Sequence, residues 1–370
     1  MGGLRHDDRL QACVMRRHGS DQWRWHTEAI APMRTISDCI ASRQDNFLLL
    51  RFIASCMVIF GHSYALGYNP SGELDWLTRY TLLFSGTHAV QIFFFVSGFL
   101  VTMSYERRHC LWTFAKARTL RIFPALVVCV TLTAVVLGPL VSELSVGAYF
   151  RNPLWRAYLL GNISLLDIQY KLPGVFAHNR YADVVNGSLW TIPGEMQMYF
   201  YVAALGVLGL LRSRLRFSLA ICGLLALAVF WPAQVRLLSQ HDFYVLAIFF
   251  ILGACCWMFR ERVIVSGYVF LLLLLACAVL YQQPGYFWVL GATTVYGCIW
   301  FIYVPRLQWF NRFGDYSYGL YLYGFVIQQL VAGLQPQLAP LGLFALSLPL
   351  TLCLAAASWH LIEKPALRYK

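Results

Sequence analysis

The chain has 370 residues, of which 59% are hydrophobic and only 12% charged, and it carries a net charge of +12. Soluble domains carry about 25% charged residues, so a chain this apolar cannot cover itself with polar surface in water. A soluble globular enzyme, a disordered chain and a secreted disulfide scaffold are excluded, and a polytopic all-α membrane protein remains.

Residues 1–45 are polar and basic, with seven Arg and no apolar stretch of the kind a signal peptide needs. They read as a disordered cytoplasmic leader, with Met33 as an alternative start. Ten apolar windows follow, at 47–66, 80–103, 122–141, 189–211, 217–233, 243–259, 263–281, 286–304, 315–334 and 341–362. Each is long enough for the ~30 Å hydrocarbon core, the fifth and sixth only just. With the N-terminus inside, the cytoplasmic segments hold 22 Lys and Arg and the outer ones six. That asymmetry places both termini in the cytoplasm. A long outer loop over 142–188 separates spans three and four, and its Trp155–Leu166 segment is too short to cross, so it reads as interfacial or re-entrant. The expected organisation is a leader over 1–45 and one transmembrane domain over 46–370.

The basic charge needs no nucleic-acid partner, because no Lys/Arg run has aromatic interleaving. Most of the 11 Cys lie in apolar runs, with no CxxC pair and no Cys/His ligand spacing, so neither a metal site nor a disulfide frame is expected.

Ionisable residues inside apolar windows cost ~2.5–3.5 kcal/mol at the bilayer centre and mark cavities or partners. Arg51 and His62 are eleven residues apart, which on a helix is about 20° past three turns and about 16 Å along the axis. They share a face, with a fixed cation near the inner end and a titratable imidazole near the outer end. That suits a pocket wall; a snorkelling Arg and a buried neutral His fit the same pattern. Glu195 lies at the depth of His62 behind Ser188-Leu189-Trp190, where it could orient the imidazole or pair with an Arg. Pro193-Gly194 before it loosens the helix. His88 reads as a local hydrogen-bonding group and Asp315 as a helix cap. Arg118 and Arg121 sit three apart at the inner mouth of span three. They could grip phosphates or serve only as topogenic charge.

In these residues the chain resembles the acyltransferase-3 family of integral membrane acyltransferases. The resemblance is carried by Arg51-x10-His62, by Phe93-Phe94-Phe95-Val96-Ser97-Gly98-Phe99-Leu100 and by Arg118-x-x-Arg121-Ile122-Phe123-Pro124. It continues through Ser188-Leu189-Trp190 with Glu195 and Tyr199, through Gly314 to Leu322, and through Leu361-Ile362-Glu363-Lys364-Pro365. These motifs occur in family order over 46–367. Where many members have a His after the Tyr-Leu of span nine, this chain has Tyr323-Gly324.

The resemblance implies ten core helices in the inner (plasma) membrane. It implies acyl transfer, most often of acetyl from acetyl-CoA, to a hydroxyl of a cell-surface or exported glycan, with no tightly bound cofactor. With no further domain before residue 370, the chain is expected to act alone or with a separate partner. On this reading Arg118 and Arg121 hold the coenzyme A phosphates and Arg51 adds charge along the pantetheine path. His62 takes the acceptor hydroxyl proton as general base or accepts the acyl group first, Glu195 orients the imidazole or stabilises the imidazolium, and Ser188, Trp190 and Tyr199 line the acceptor side. A transporter or flippase for a glycan or lipid intermediate is the alternative, against which no repeat relates the two halves.

Overall fold

The structure is a computed structural model that describes residues 11–18, 22–29, 34–42, 44–230 and 241–370. Met33, residues 231–233 of the fifth expected span and Arg236 lie outside the described residues.

The leader is not structureless where it is described. Strands β1 (Gln11–His18) and β2 (Gln22–Ala29) pair antiparallel, with Gln11 opposite Ala29. Helix α1 (Ile36–Ala41) starts at a capping box, in which Thr35 and Asp38 each bond the other's backbone N–H. Backbone bonds Ile36 N–Val263 O (3.0 Å) and Val265 N–Arg34 O (2.8 Å) dock α1 on the 260–265 turn. Residues 34–42 therefore pack against the helical bundle.

A helix stands at each of the ten expected spans. In chain order the main helices are α2 (Phe47–Leu66), α3 (Trp76–Thr81), α4 (Ser85–Arg108), α5 (Leu111–Val141), α6 (Val146–Arg151), α7 (Leu154–Ser164) and α8 (Thr191–Val207). They continue as α9 (Arg214–Phe230), α10 (His241–Met258), α11 (Gly267–Val279), α12 (Tyr286–Tyr303), α13 (Ser317–Leu334) and α14 (Pro340–Leu367). Among the described residues five of them, α2, α4, α5, α12 and α14, are long and apolar enough to cross a membrane. At α13 the tyrosines and Gln328-Gln329 lower the hydropathy, and both glutamines are fully buried.

Helix α4 is the central post. It is buried along most of its length and crosses α10 so closely that a Cβ on Gly98 would stand 1.9 Å from the Phe250 carbonyl oxygen. That approach explains the glycine in the Phe93–Leu100 run. Two helices carry π turns that redirect side chains. At Leu132–Leu137 in α5, the Ala134 carbonyl accepts from Tyr149 (2.7 Å). At Trp359–Glu363 in α14, Glu363 turns inward to a site only 2% exposed.

The 142–188 segment is ordered. Helix α7 has eleven residues, about 16 Å, too short to span. Past it the chain lies over the ends of α2 and α13. Asn179 donates to Gln329 O and Oε1 (2.8 Å each), Gln329 donates back to the Tyr181 and Val184 carbonyls (2.7 and 2.6 Å), and Arg180 donates to Gly67 O (3.1 Å). The bundle thus has a basic end, carrying Arg107, Arg108 and Lys370, and an opposite end covered by this loop.

Candidate active site

One large cavity, of about 590 Å³, runs through the bundle from its basic end. Its wall on α4 is a stripe from Val90 to Arg108, about 27 Å of helix axis. Helix α8 contributes Thr191, Ile192, Glu195 and Tyr199, at the helical repeat that puts them on one face. Helix α13 contributes Ser317, Tyr318 and Tyr321, and α2 contributes Arg51.

Charge is graded along this tunnel. Six cations line it (Arg51, Arg107, Arg108, Arg118, Arg121 and Lys370) against two carboxylates, Glu195 and Asp315. The cations collect toward the basic end. The far end is lined by Val90, Phe93, Phe94, Thr191, Ile192 and Tyr321, none of them charged. At the mouth, partial desolvation and the guanidiniums of Arg118, Arg108 and Arg121 push the Lys370 amine down to about 8. Cations crowded without enough anions of their own suit an acidic ligand.

Four charged side chains from four segments meet at the side of the tunnel. Asp315 Oδ2 accepts from Arg51 (2.5 Å) and Arg121 (2.6 Å), and Arg121 reaches Glu363 at 3.5 Å. Gly314, at φ +98°, turns the chain into Asp315 with the Trp359 ring against its Cα. Asp315 also accepts from the Ser317 backbone N–H (3.3 Å) and hydroxyl (2.5 Å). The N-cap position of α13 is Tyr316, not the expected Asp315, which bonds Ser317 from one residue before the cap and bridges the two guanidiniums.

Arg118 and Arg121 do not act as a matched pair. Arg121 is held by the two carboxylates. Arg118 faces the tunnel over the Tyr199 ring (5.6 Å) and Phe114 (5.9 Å), with its buried Nε lacking a hydrogen-bond partner. A buried donor left unpaired costs about 1–3 kcal/mol; an entering phosphate would satisfy it. Glu195 is mid-tunnel, where its Oε1 accepts from Tyr199 and from Ser97 (3.2 Å).

Glu195 does not orient His62. No hydrogen bond or ion pair among the described residues joins them, and His62 does not line the tunnel. Its ring lies between Phe325 (centroids 5.1 Å) and Phe84 (6.1 Å), half-buried, with Nδ1 unpartnered. Phe325 is one helical turn past the tunnel-lining Tyr321 on α13. The expected opening of His62 straight into the tunnel is therefore absent; about one turn of aromatic packing intervenes. The expected acceptor wall also divides. Tyr199 faces the tunnel, Trp190 packs edge-on against Phe243 (5.5 Å), and the Ser188 hydroxyl is buried without a partner. His88 bonds Thr81 Oγ1 (2.9 Å), a local contact as expected.

Sequence reasoning missed Glu363, Ser97, Arg107, Arg108 and Lys370 as site residues. Glu363 sits in the family-like Leu361–Pro365 motif, which by itself gives it no role, and the three basic residues read from sequence as positive-inside charge.

The fold and site define a helical membrane bundle with a long internal tunnel, cationic at one end and uncharged at the other. The chain belongs to the acyltransferase-3 family: the family model described as "Acyltransferase domain" matches residues 45–360. It is accordingly an acyltransferase. The chain is 28% identical to the O-acetyl transferase of Shigella phage Sf6, over 85% of this chain and 93% of that protein. It is 29% identical to Nodulation protein 10 of Rhizobium leguminosarum bv. viciae, over 89% and 95%. No solved structure matches it.

Proposed function

We propose that this protein moves an acetyl group from acetyl-CoA to a hydroxyl of a cell-surface or exported glycan, crossing the inner membrane ten times with both termini and the basic mouth in the cytoplasm. The observation that carries the reading is the graded tunnel in a chain of an acyltransferase family. Likeness to a phage O-acetyl transferase supports the acetyl group and the oxygen acceptor.

Arg118, Arg108, Arg107 and Lys370 hold the donor's phosphates at the mouth. The middle of the tunnel, with Ser97, Glu195 and Tyr199, takes the amide-bearing arm. Arg51 and Arg121 are immobilised by Asp315 and supply fixed positive potential rather than a flexible clamp. His62 waits on the side covered by the 142–188 loop, where a glycan hydroxyl arrives. Its unpartnered Nδ1 marks a group whose hydrogen bond comes with substrate. His62 accepts the hydroxyl proton as the oxygen attacks the thioester carbonyl. The C–S bond breaks, and the leaving sulfur takes up a proton, so the imidazole returns to neutral. The Phe325 ring has to yield for the two sides to meet.

The test is acetyl-CoA turnover by the purified full chain in detergent with a soluble oligosaccharide acceptor, followed by thiol release and by mass spectrometry of the sugar. Ester formation that depends on His62 is expected. Absence of both thiol release and ester in the wild type overturns the reading.

A further inference from the structure

A crossbar between two helices lies at the far end of the tunnel. Thr191 Oγ1 and Tyr321 OH share a hydrogen bond of 2.5 Å that ties α8 to α13, and the Phe93 ring stands edge-on to Tyr321 at 5.8 Å. All three side chains line the tunnel, and Thr191 and Tyr321 are only 5% and 9% exposed. The hydroxyls satisfy each other, so the wall offers ring surface and hydrocarbon and no free charge. Behind it, Phe325 and then His62 follow within one turn of α13.

We propose that the wall of Phe93, Thr191 and Tyr321 sets the length of acyl chain this protein transfers, admitting short chains and rejecting long ones. The inference rests on the donor reading given above. The phosphates are anchored at the cationic mouth and the pantetheine arm has a fixed length, so the acyl group is the part that meets the wall. For attack from the side of His62, the carbonyl carbon has to come up close to it. Each methylene between carbonyl and wall pushes the carbonyl back toward the mouth and away from the acceptor. Protein interiors do not yield freely to an added methylene, and this wall is braced by a buried hydrogen bond between two helices. Removing the brace or a ring gives the longer chain somewhere to go.

The experiment compares acetyl-, butyryl- and hexanoyl-CoA with wild type, Phe93→Ala and Tyr321→Ala. It measures kcat/KM by thiol release and equilibrium affinity of each thioester for the purified full chain without acceptor. In the wild type, kcat/KM should fall at least tenfold from acetyl to hexanoyl. In either alanine variant the hexanoyl-to-acetyl ratio should rise at least tenfold. If both alanine variants fail to fold, Phe93→Leu and Thr191→Val carry the test, the second by removing the hydrogen bond at nearly constant volume; a rise of threefold or more is expected. Equal use of acetyl- and hexanoyl-CoA by the wild type overturns the inference and leaves the acyl-CoA reading standing. So does a wild-type length ratio in variants that still turn over acetyl-CoA. A wild type that releases thiol from none of the three thioesters removes the donor reading and the inference together.

Discussion

Replacing Asp315 with Asn is the sharpest test of the charge cluster, because it keeps the shape and removes the charge. The Asp315 side chain is 8% exposed, and its Oδ2 faces Arg51 at 2.5 Å and Arg121 at 2.6 Å. After substitution Arg51 keeps no ion pair within 4 Å among the described residues, and Arg121 keeps only Glu363 at 3.5 Å. Stranding a charge by deleting one member of a buried pair costs about 3–5 kcal/mol. The two arginines retain 19% and 14% exposure toward the tunnel, which places the expectation at the lower end, ~3 kcal/mol, or about two orders of magnitude in the folded-to-unfolded ratio. Denaturant unfolding in detergent micelles, followed by tryptophan fluorescence, measures it. The double variant Asp315→Asn with Arg51→Gln should recover part of the loss, with a coupling energy of roughly 1–3 kcal/mol. A single Asn variant within about 0.5 kcal/mol of wild type, with no recovery in the double, refutes the claim that this carboxylate holds the two arginines in place.

Arg118→Ala should raise the KM for acetyl-CoA about tenfold or more while leaving the unfolding midpoint near wild type, whereas Arg121→Ala should lower the midpoint; equal effects on both measurements would show that the two arginines are not divided as described. Lys370 titrates in the working range. With its amine pushed from 10.5 to about 8, the mouth loses a cation as pH rises through about 8, so donor affinity should fall there, and Lys370→Arg should flatten that limb of the KM profile. The stability sign is opposite. Between about 8 and 10.5 the unfolded chain holds the proton that the folded chain has released, so this group makes the fold relatively more stable as pH rises across that window. His62→Ala should abolish ester formation at unchanged expression and unfolding midpoint, and full activity in that variant removes it as the base. Gly98→Ala would set a Cβ 1.9 Å from the Phe250 carbonyl; backbone cannot swing aside as a side chain can, so loss of at least ~1–3 kcal/mol is expected, read as a lower unfolding midpoint.

Composition and apolar runs alone were enough to read a helical membrane protein and to place a helix at each apolar window, because burial in lipid imposes long apolar runs. Arg51 and Glu195 stood out as charges inside such runs, Arg118 and Arg121 as a pair at the mouth of one, and Tyr199 only through the family-like motif around Glu195. The sequence could not say which of these groups meet. The expected partnership of His62 with Glu195 came from matching their depths, and depth fixes only one of three coordinates. Helix rotation sends Glu195 to Ser97 and Tyr199, and places His62 between Phe84 and Phe325. A periodic count along one helix also cannot register a π turn, the device that swings Glu363 inward beside Arg121. Nor can it show that a glycine at positive φ delivers Asp315 to two guanidiniums from other helices. Those contacts join residues more than 190 positions apart, and only the packing of the helices brings them together.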